Sequence, residues 1–373
     1  MPLVLNEEQR LLRDTAREFL AGNAPVSQLR RLRDERDALG YDPELWQQMA
    51  ELGWASIILP EAYGGLDFGF MGLGAVIEES GRTLTASPLW ASAVLGASAI
   101  LLAGTDQQKE ELLPRMASGE LTTALAVDES HHHAPENIET RAEPTTDGYR
   151  LSGANPVVAD GHSAEIRIVA ARSGDSTRLF LVPRDTDGVA VTRTLMVDNR
   201  NAANITFTDV ALPADALLGS AKQATDVIDQ VLDRGRVALA AEMLGSAQEV
   251  FERTVEYLKE REQFGVKIGS FQALQHRAAQ LQAEIELCRS IVLQALTIVD
   301  ESPEQLPLVA SLAKARLNEL AKWATNEAVQ MHGGIGVTDD LEIGYFLKRA
   351  RVTMQLLGDT GFHRDRYASL SGY

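Results

Sequence analysis

The hydrophobic pattern of the chain changes character twice, and those two switches constrain the fold more than any single residue does. Up to about residue 120 the signals are helical: Leu12, Ala16, Phe19 and Leu20 fall on one stripe, and Asp42-Pro43-Glu44-Leu45-Trp46 has the form of a capped helix start with proline in its first turn. From about 121 to 220 the apolar runs become short and strand-like, as in GYRLSG, EIRIVAAR, TRLFLVP, GVAVTR and NITFTDVALP, with turn signals such as Thr146-Asp147-Gly148 between them. After Ser220 helical periodicity returns in segments of roughly 25–40 residues. The expectation is an α+β chain: an N-terminal helical domain over 1–120, a small antiparallel sheet or barrel over 121–220, and a helix bundle over 221–373.

Composition narrows the function classes. With 373 residues, 45% hydrophobic and 24% charged, the chain is large enough for two or three structural units. A net charge of −18 repels nucleic acid and anionic membrane, so an anionic ligand has to be met by a local group of Arg and Lys. Cys288 is the single cysteine, which excludes a disulfide framework and a thiolate metal cage and fits a reducing compartment, the cytoplasm by default. The N-terminal MPLVLNEEQRLLRDTAREFL lacks the basic-then-apolar layout of a secretory signal, and its early acids do not suit a transit peptide. The longest apolar run, LWASAVLGASAILLAG (89–104), falls about four residues short of a bilayer span and reads as a buried core helix.

Two stretches in the last third carry chemistry. In REQFGVKIGSFQALQH (261–276) a helix is expected to end at Gly265 and another to begin near Ser270, with Arg261, Gln263, Phe264 and Gln272 around the break. In QMHGGIGVT (330–338) three glycines behind a long helix let the backbone approach a ligand and turn its N–H groups toward an anion such as a pyrophosphate. Arg261 supplies positive charge and Phe264 an apolar face for a ring. Each stretch alone also reads as an ordinary helix cap and turn; their joint presence behind a β region shifts the reading.

Together with LGWASIILPEAYGGL (52–66), GRTLTASPL (81–89), NITFTDVALPADALLG (204–219) and AVQMHGGIGV (328–337), these stretches make the chain resemble the acyl-CoA dehydrogenase family over nearly its whole length. The resemblance implies an N-terminal helical domain, a middle β domain and a C-terminal four-helix bundle, assembled as dimers or dimers of dimers. It implies FAD at a subunit interface and α,β-dehydrogenation of an acyl thioester, in which a carboxylate takes the α-proton while a hydride leaves the β-carbon for the flavin. An electron-transferring flavoprotein is the implied acceptor, and the thioester carrier is CoA or an acyl carrier protein. By resemblance, Arg261, Gln263, Phe264, Ile268, Phe271 and Gln272, with Gln330, Gly333, Gly334 and Gly336, sit where the family grips the adenosine and pyrophosphate of an FAD whose ring lies in the neighbouring subunit.

The flavin-ring half departs from the family pattern. Where relatives carry a Thr-Glu-Pro-Gly-Ala-Gly-Ser-Asp loop, this chain has DESHHHAPEN (128–137), placing Asp128 and Ala134 at the positions of ring-binding hydroxyls; where relatives carry Trp-Ile-Thr it has Val157, Val158 and Ala159. An anionic Asp128 beside the ring would oppose the charge of reduced flavin. The family's usual catalytic Glu position falls on Leu357, and the alternative base position falls on Gly235, beside the retained Arg236. Two carboxylates are candidate substitutes: Glu242, two helical turns beyond Gly235, and Asp359, next to the usual base position. Glu242 reads equally as a buried, partnered side chain, and Asp359 as the cap of the final helix. The His131-His132-His133 triplet is expected to bind no metal, and His332 and His363 to be structural or close to a cofactor phosphate.

Three readings stay open at this level. One is a subunit of a heteromeric dehydrogenase whose partner brings the ring-binding motifs and the base, an arrangement found among family members that degrade steroid side chains. Another is a complete homodimeric or homotetrameric enzyme with Glu242 or Asp359 as a displaced base. The third is a non-catalytic scaffold. The first is favoured because the ring loop, the ring strand and the base are absent together while the tail-binding groups remain.

Overall fold

In the computed structural model, which describes residues 4–219 and 224–373, an N-terminal helical region leads into a curled sheet and then into long C-terminal helices. The sequence boundary placed at Ser220 lies outside the described residues. The first region contains α1 (Glu7–Asn23), α2 (Val26–Asp34), α3 (Pro43–Glu51), α4 (Gly69–Thr83), α5 (Ala97–Ala103) and α6 (Asp106–Ala117). The start signals behave as their chemistry dictates. Asn6 and Gln9 form a reciprocal capping box on α1, and Asp42 accepts from the Glu44 and Leu45 amides ahead of Pro43 on α3. The apolar run at 89–104 is buried, and its first part, Leu89–Gly96, is wound as a π-helix before α5 begins. Close packing shapes that segment: a Cβ on Gly96 would overlap the Thr123 hydroxyl.

The sheet comprises β1 (Thr123–Ala126), β2 (Arg141–Pro144), β3 (Gly148–Ala159), β4 (Ile166–Ser173), β5 (Ser176–Pro183), β6 (Val189–Leu195) and β7 (Asn201–Pro213). Its order is β1-β4-β2-β3-β7-β6, with β5 hairpinned onto β4. The sequence suggested antiparallel pairing, and the β2–β3, β4–β5, β3–β7 and β6–β7 pairs are antiparallel. β1 and β2, however, each pair in parallel with β4. Phe180, Leu151, Ile205 and Val210 centre the sheet's apolar core.

The C-terminal region contains α7 (Ala224–Glu260), the two-residue strands β8 (Glu262–Gln263) and β9 (Val266–Lys267), α8 (Gln272–Glu301), α9 (Leu306–His332), α10 (Ile343–Thr353) and α11 (Thr360–Leu370). Where the sequence suggested a helix running to Gly265, α7 stops at Glu260 and a hairpin follows. Phe264 (φ 56°) and Gly265 (φ 79°) both take positive φ, the requirement of a tight two-residue turn, which no helix can include.

The contacts group the chain into two compact units, one of residues 1–31, 70–85 and 236–373 and the other of residues 32–69 and 86–235. In the first, α4 and α7 meet backbone to backbone: a Cβ on Gly81 would lie 2.1 Å from the Glu242 carbonyl oxygen, and one on Gly245 1.8 Å from that of Glu78. Arg17 adds a two-pronged bond, 2.7 and 3.0 Å, to the buried Glu79 of α4. In the second unit, the 37–41 segment is tied to the sheet: Arg193 donates to the Ala38 carbonyl at 2.8 Å and Asn201 to that of Leu39.

Candidate functional site

The first unit brings the 261–272 and 330–336 stretches together. Ile268 packs with Leu258 and Met331 in a small apolar cluster that ties the end of α7 to the end of α9. Above it, the Tyr257 ring stacks on His332 at 4.3 Å and its hydroxyl donates to the His332 carbonyl at 3.3 Å. Burial lowers the His332 pKa, and its Nδ1 lies 2.7 Å from the Ala328 carbonyl, so Nδ1 holds the proton. The candidate recognition groups face outward. Arg261, Gln263, Gln272 and Gln330 are exposed, and their side chains have no hydrogen-bonding partner among the described residues. Phe264 is 89% exposed, its ring edge-on to Phe271 at 6.2 Å. A Cβ built on Gly333 or Gly334 would meet nothing within 4 Å, so the backbone there is open to close approach. One guanidinium, amide donors, an apolar ring and an unobstructed glycine turn form a donor set suited to the nucleotide end of a dinucleotide.

The turn at 353–359 has the opposite character. Leu357 stands at φ 55° and Gly358 at φ 108°, conformations that cost a leucine about 1–2 kcal/mol. Buried donors hold them: Arg236 Nε donates to the Leu357 carbonyl at 3.1 Å, joined by His363 Nε2 at 2.9 Å. Lys314 Nζ donates to the carbonyls of Thr353 (2.9 Å) and Gly358 (3.0 Å) and to Asn318 Oδ1 (2.9 Å). Burial, then the nearby Arg236, drives the Lys314 pKa well below the usual lysine range, while Asp359 pulls the other way. A side chain at 358 would strike Phe362 and His363, so glycine is required.

The two candidate bases are both engaged. Asp359 caps α11, accepting the Phe362 amide at 2.8 Å. Glu242 is buried and takes two bonds from the Arg349 guanidinium, 2.6 and 3.0 Å, joining α7 to α10. Arg349 was absent from the sequence reading because it lies 107 residues from Glu242 and belongs to no local motif. The same holds for Lys314, whose burial is not signalled by its neighbours in α9. In the other unit, the Gly235 carbonyl accepts from the Trp90 indole at 3.1 Å.

The 128–137 loop folds back on its own carboxylates. Asp128 lies 2.8 Å from His133 Nδ1 and accepts the Ala134 amide at 3.2 Å. Glu129 accepts the amides of Glu139 and Thr140 at 2.8 and 2.9 Å. Val157, on β3, has φ 54°, within a register break between Asn155 and Val158. These residues offer a flavin ring a carboxylate and aliphatic groups in place of hydroxyl donors, and they do not fit it. Among the described residues no cluster of His, Cys, Asp and Glu could hold a metal ion, and no helix is long and apolar enough to cross a membrane.

Sequence models of the acyl-CoA dehydrogenase N-terminal and C-terminal domains match residues 6–120 and 225–370. The chain is 31% identical to the probable acyl-CoA dehydrogenase YngJ of Bacillus subtilis, over 94% of each chain. Among solved structures, a variant of the Tcur3481–Tcur3483 steroid ACAD superposes with a TM-score of 0.89 at 33% identity over 98% of each chain. The ChsE4–ChsE5 complex of Mycobacterium tuberculosis superposes at 0.90 with 26% identity over 100% of each. The chain belongs to the acyl-CoA dehydrogenase family of FAD-dependent oxidoreductases.

Proposed function

We propose that this chain is one subunit of a heteromeric acyl-CoA dehydrogenase, clasping the ADP end of an FAD whose ring is held by a related partner subunit. The observation that carries the reading is the contrast between uncommitted tail groups and committed ring and base groups. The side chains of Arg261, Gln263, Gln272 and Gln330 have no hydrogen-bonding partner among the described residues, whereas Asp128, Glu242 and Asp359 each already have one. When bound, FAD accepts the hydride from the acyl β-carbon. This chain contributes charge and donors to the nucleotide: Arg261 to the pyrophosphate, Phe264, Ile268 and Phe271 as apolar walls, and Gln263, Gln272 and Gln330 as amides. Gly333 and Gly334 bring backbone close to the phosphates. The α-proton goes to a carboxylate of the partner, since Leu357 and Gly235 cannot accept one. Two related neighbours bear paired names, one of them described as a complex and the other as a steroid ACAD. They support a two-chain assembly, and the steroid named for one of them supports a bulky acyl thioester; the cytoplasm as location and electron-transferring flavoprotein as acceptor belong to the same proposal.

Flavin content tests this. The chain purified alone should hold far less than one FAD per subunit. Co-purified with a family member that carries the ring loop and a catalytic Glu, it should yield a yellow, active complex. A yellow homo-oligomer that turns over acyl-CoA alone, and loses turnover on Glu242→Gln, would replace this reading with the displaced-base enzyme.

A further inference from the structure

We propose that Tyr257 and His332 are positioning residues for the nucleotide tail. They lock the peptide that begins the Gly333–Gly334 turn and fix it relative to the arginine-bearing hairpin. The inference rests on the reading that this turn receives the ADP end of FAD.

Neither residue belongs to the exposed recognition set, yet they join its two parts. Tyr257 sits one helical turn before Arg261, and its carbonyl accepts the Arg261 amide at 2.9 Å, so its backbone defines where α7 stops and the hairpin departs. Its side chain reaches the other stretch. The hydroxyl donates to the His332 carbonyl, which shares a rigid peptide plane with the Gly333 nitrogen. His332 is held in turn by its own Nδ1–H bond to Ala328 and by the ring stack, and it is buried. Just beyond it the chain turns through Gly333 at φ 66° and ψ −145°; the Gly333 amide donates back to the Gln330 carbonyl, so the amides left for a ligand are those beyond Gly333.

A turn of this kind holds a pyrophosphate well only if its amides are already aimed, because orienting them during binding subtracts from affinity. The tyrosine hydroxyl fixes the peptide that leads into the turn, and with it the direction of the amides beyond Gly333. The stacked rings hold the spacing between Arg261 and the glycines. The consequence is selective: the Tyr257 hydroxyl matters for the diphosphate, and much less for the adenosine, which is met by the hairpin and by α8.

The test uses the full chain, with ADP and AMP as probes in calorimetric titrations and with thermal unfolding as a control. The native chain should bind ADP more tightly than AMP. Tyr257→Phe keeps the ring and removes only the hydroxyl; it should weaken ADP about three- to tenfold, the effect of one hydrogen bond, leaving AMP affinity and the melting temperature nearly unchanged. A variant whose ADP-to-AMP preference equals that of the native chain, or which loses both ligands in equal proportion, overturns the positioning role while the tail site stands. A native chain that binds neither nucleotide removes the tail site and the inference with it, a result told apart by the unsubstituted protein alone.

Discussion

Arg261, Gln263, Gln272 and Gln330 end in solvent, whereas Asp128, Glu129, Glu242 and Asp359 end on the protein itself. Arg261 and Gln330 have side chains without a hydrogen-bonding partner among the described residues, while Asp128, Glu242 and Asp359 are bound to a histidine, an arginine and a helix terminus. A side chain intended for a ligand has to be left unsatisfied in the free protein; one that stabilises the fold has to be satisfied already. By that criterion the proposed reading assigns the first set of groups to recognition and the second to architecture. Substitutions should separate accordingly, costing binding in the one and stability in the other.

The largest expected effect is at Glu242. Glu242→Ala leaves Arg349 buried without its carboxylate and should lower unfolding free energy by about 3–5 kcal/mol in denaturant titrations. Pairing it with Arg349→Met should recover much of that loss. ADP binding by the surviving folded fraction should not change, and a drop there would blur the distinction. Next is Arg261→Ala, the mirror case: ADP affinity should fall roughly tenfold or more, the loss of a charge-assisted bond, with unfolding free energy unmoved. Smaller still is Asp359→Ala, which removes a helix cap and should cost about 1 kcal/mol of stability while sparing turnover of the two-chain complex. If turnover instead collapses, Asp359 belongs with the reacting groups.

The smallest effect is a pH dependence from His332. Burial holds its folded pKa below the unfolded value of about 6.5. As pH falls below 6.5 the unfolded chain takes up a proton that the folded chain does not, so stability declines until pH reaches the lowered folded value. Denaturation curves at pH 7.5 and 5.5 should show this decline, and His332→Asn should reduce it.

The order of helical, strand and helical regions was readable because hydrophobic periodicity is local, and so were the caps at Asp42 and Asp359, which need only a few neighbouring residues. Residues in the two glycine-bearing stretches could be named for the same reason. What escaped was set by distance along the chain. The Glu242–Arg349 pair spans 107 residues and the Arg236 bond to Leu357 spans 121, and neither leaves a pattern in one sequence. The parallel β1–β4 pairing depends on where a whole hairpin is placed. The sequence carries the helix on to Gly265 because residues 261–264 have no strong strand signal, and only the positive φ values at Phe264 and Gly265 reveal the turn.

The turn around Leu357 has an evolutionary corollary. Arg236, Lys314 and His363 grip main-chain oxygens, so the course of the backbone around the buried Leu357 is held without any polar group on that side chain. On the proposed reading, in which the family's acid is missing here, its mounting is still in place. Re-arming the position would be a change of one codon, with no reconstruction of the backbone beneath it.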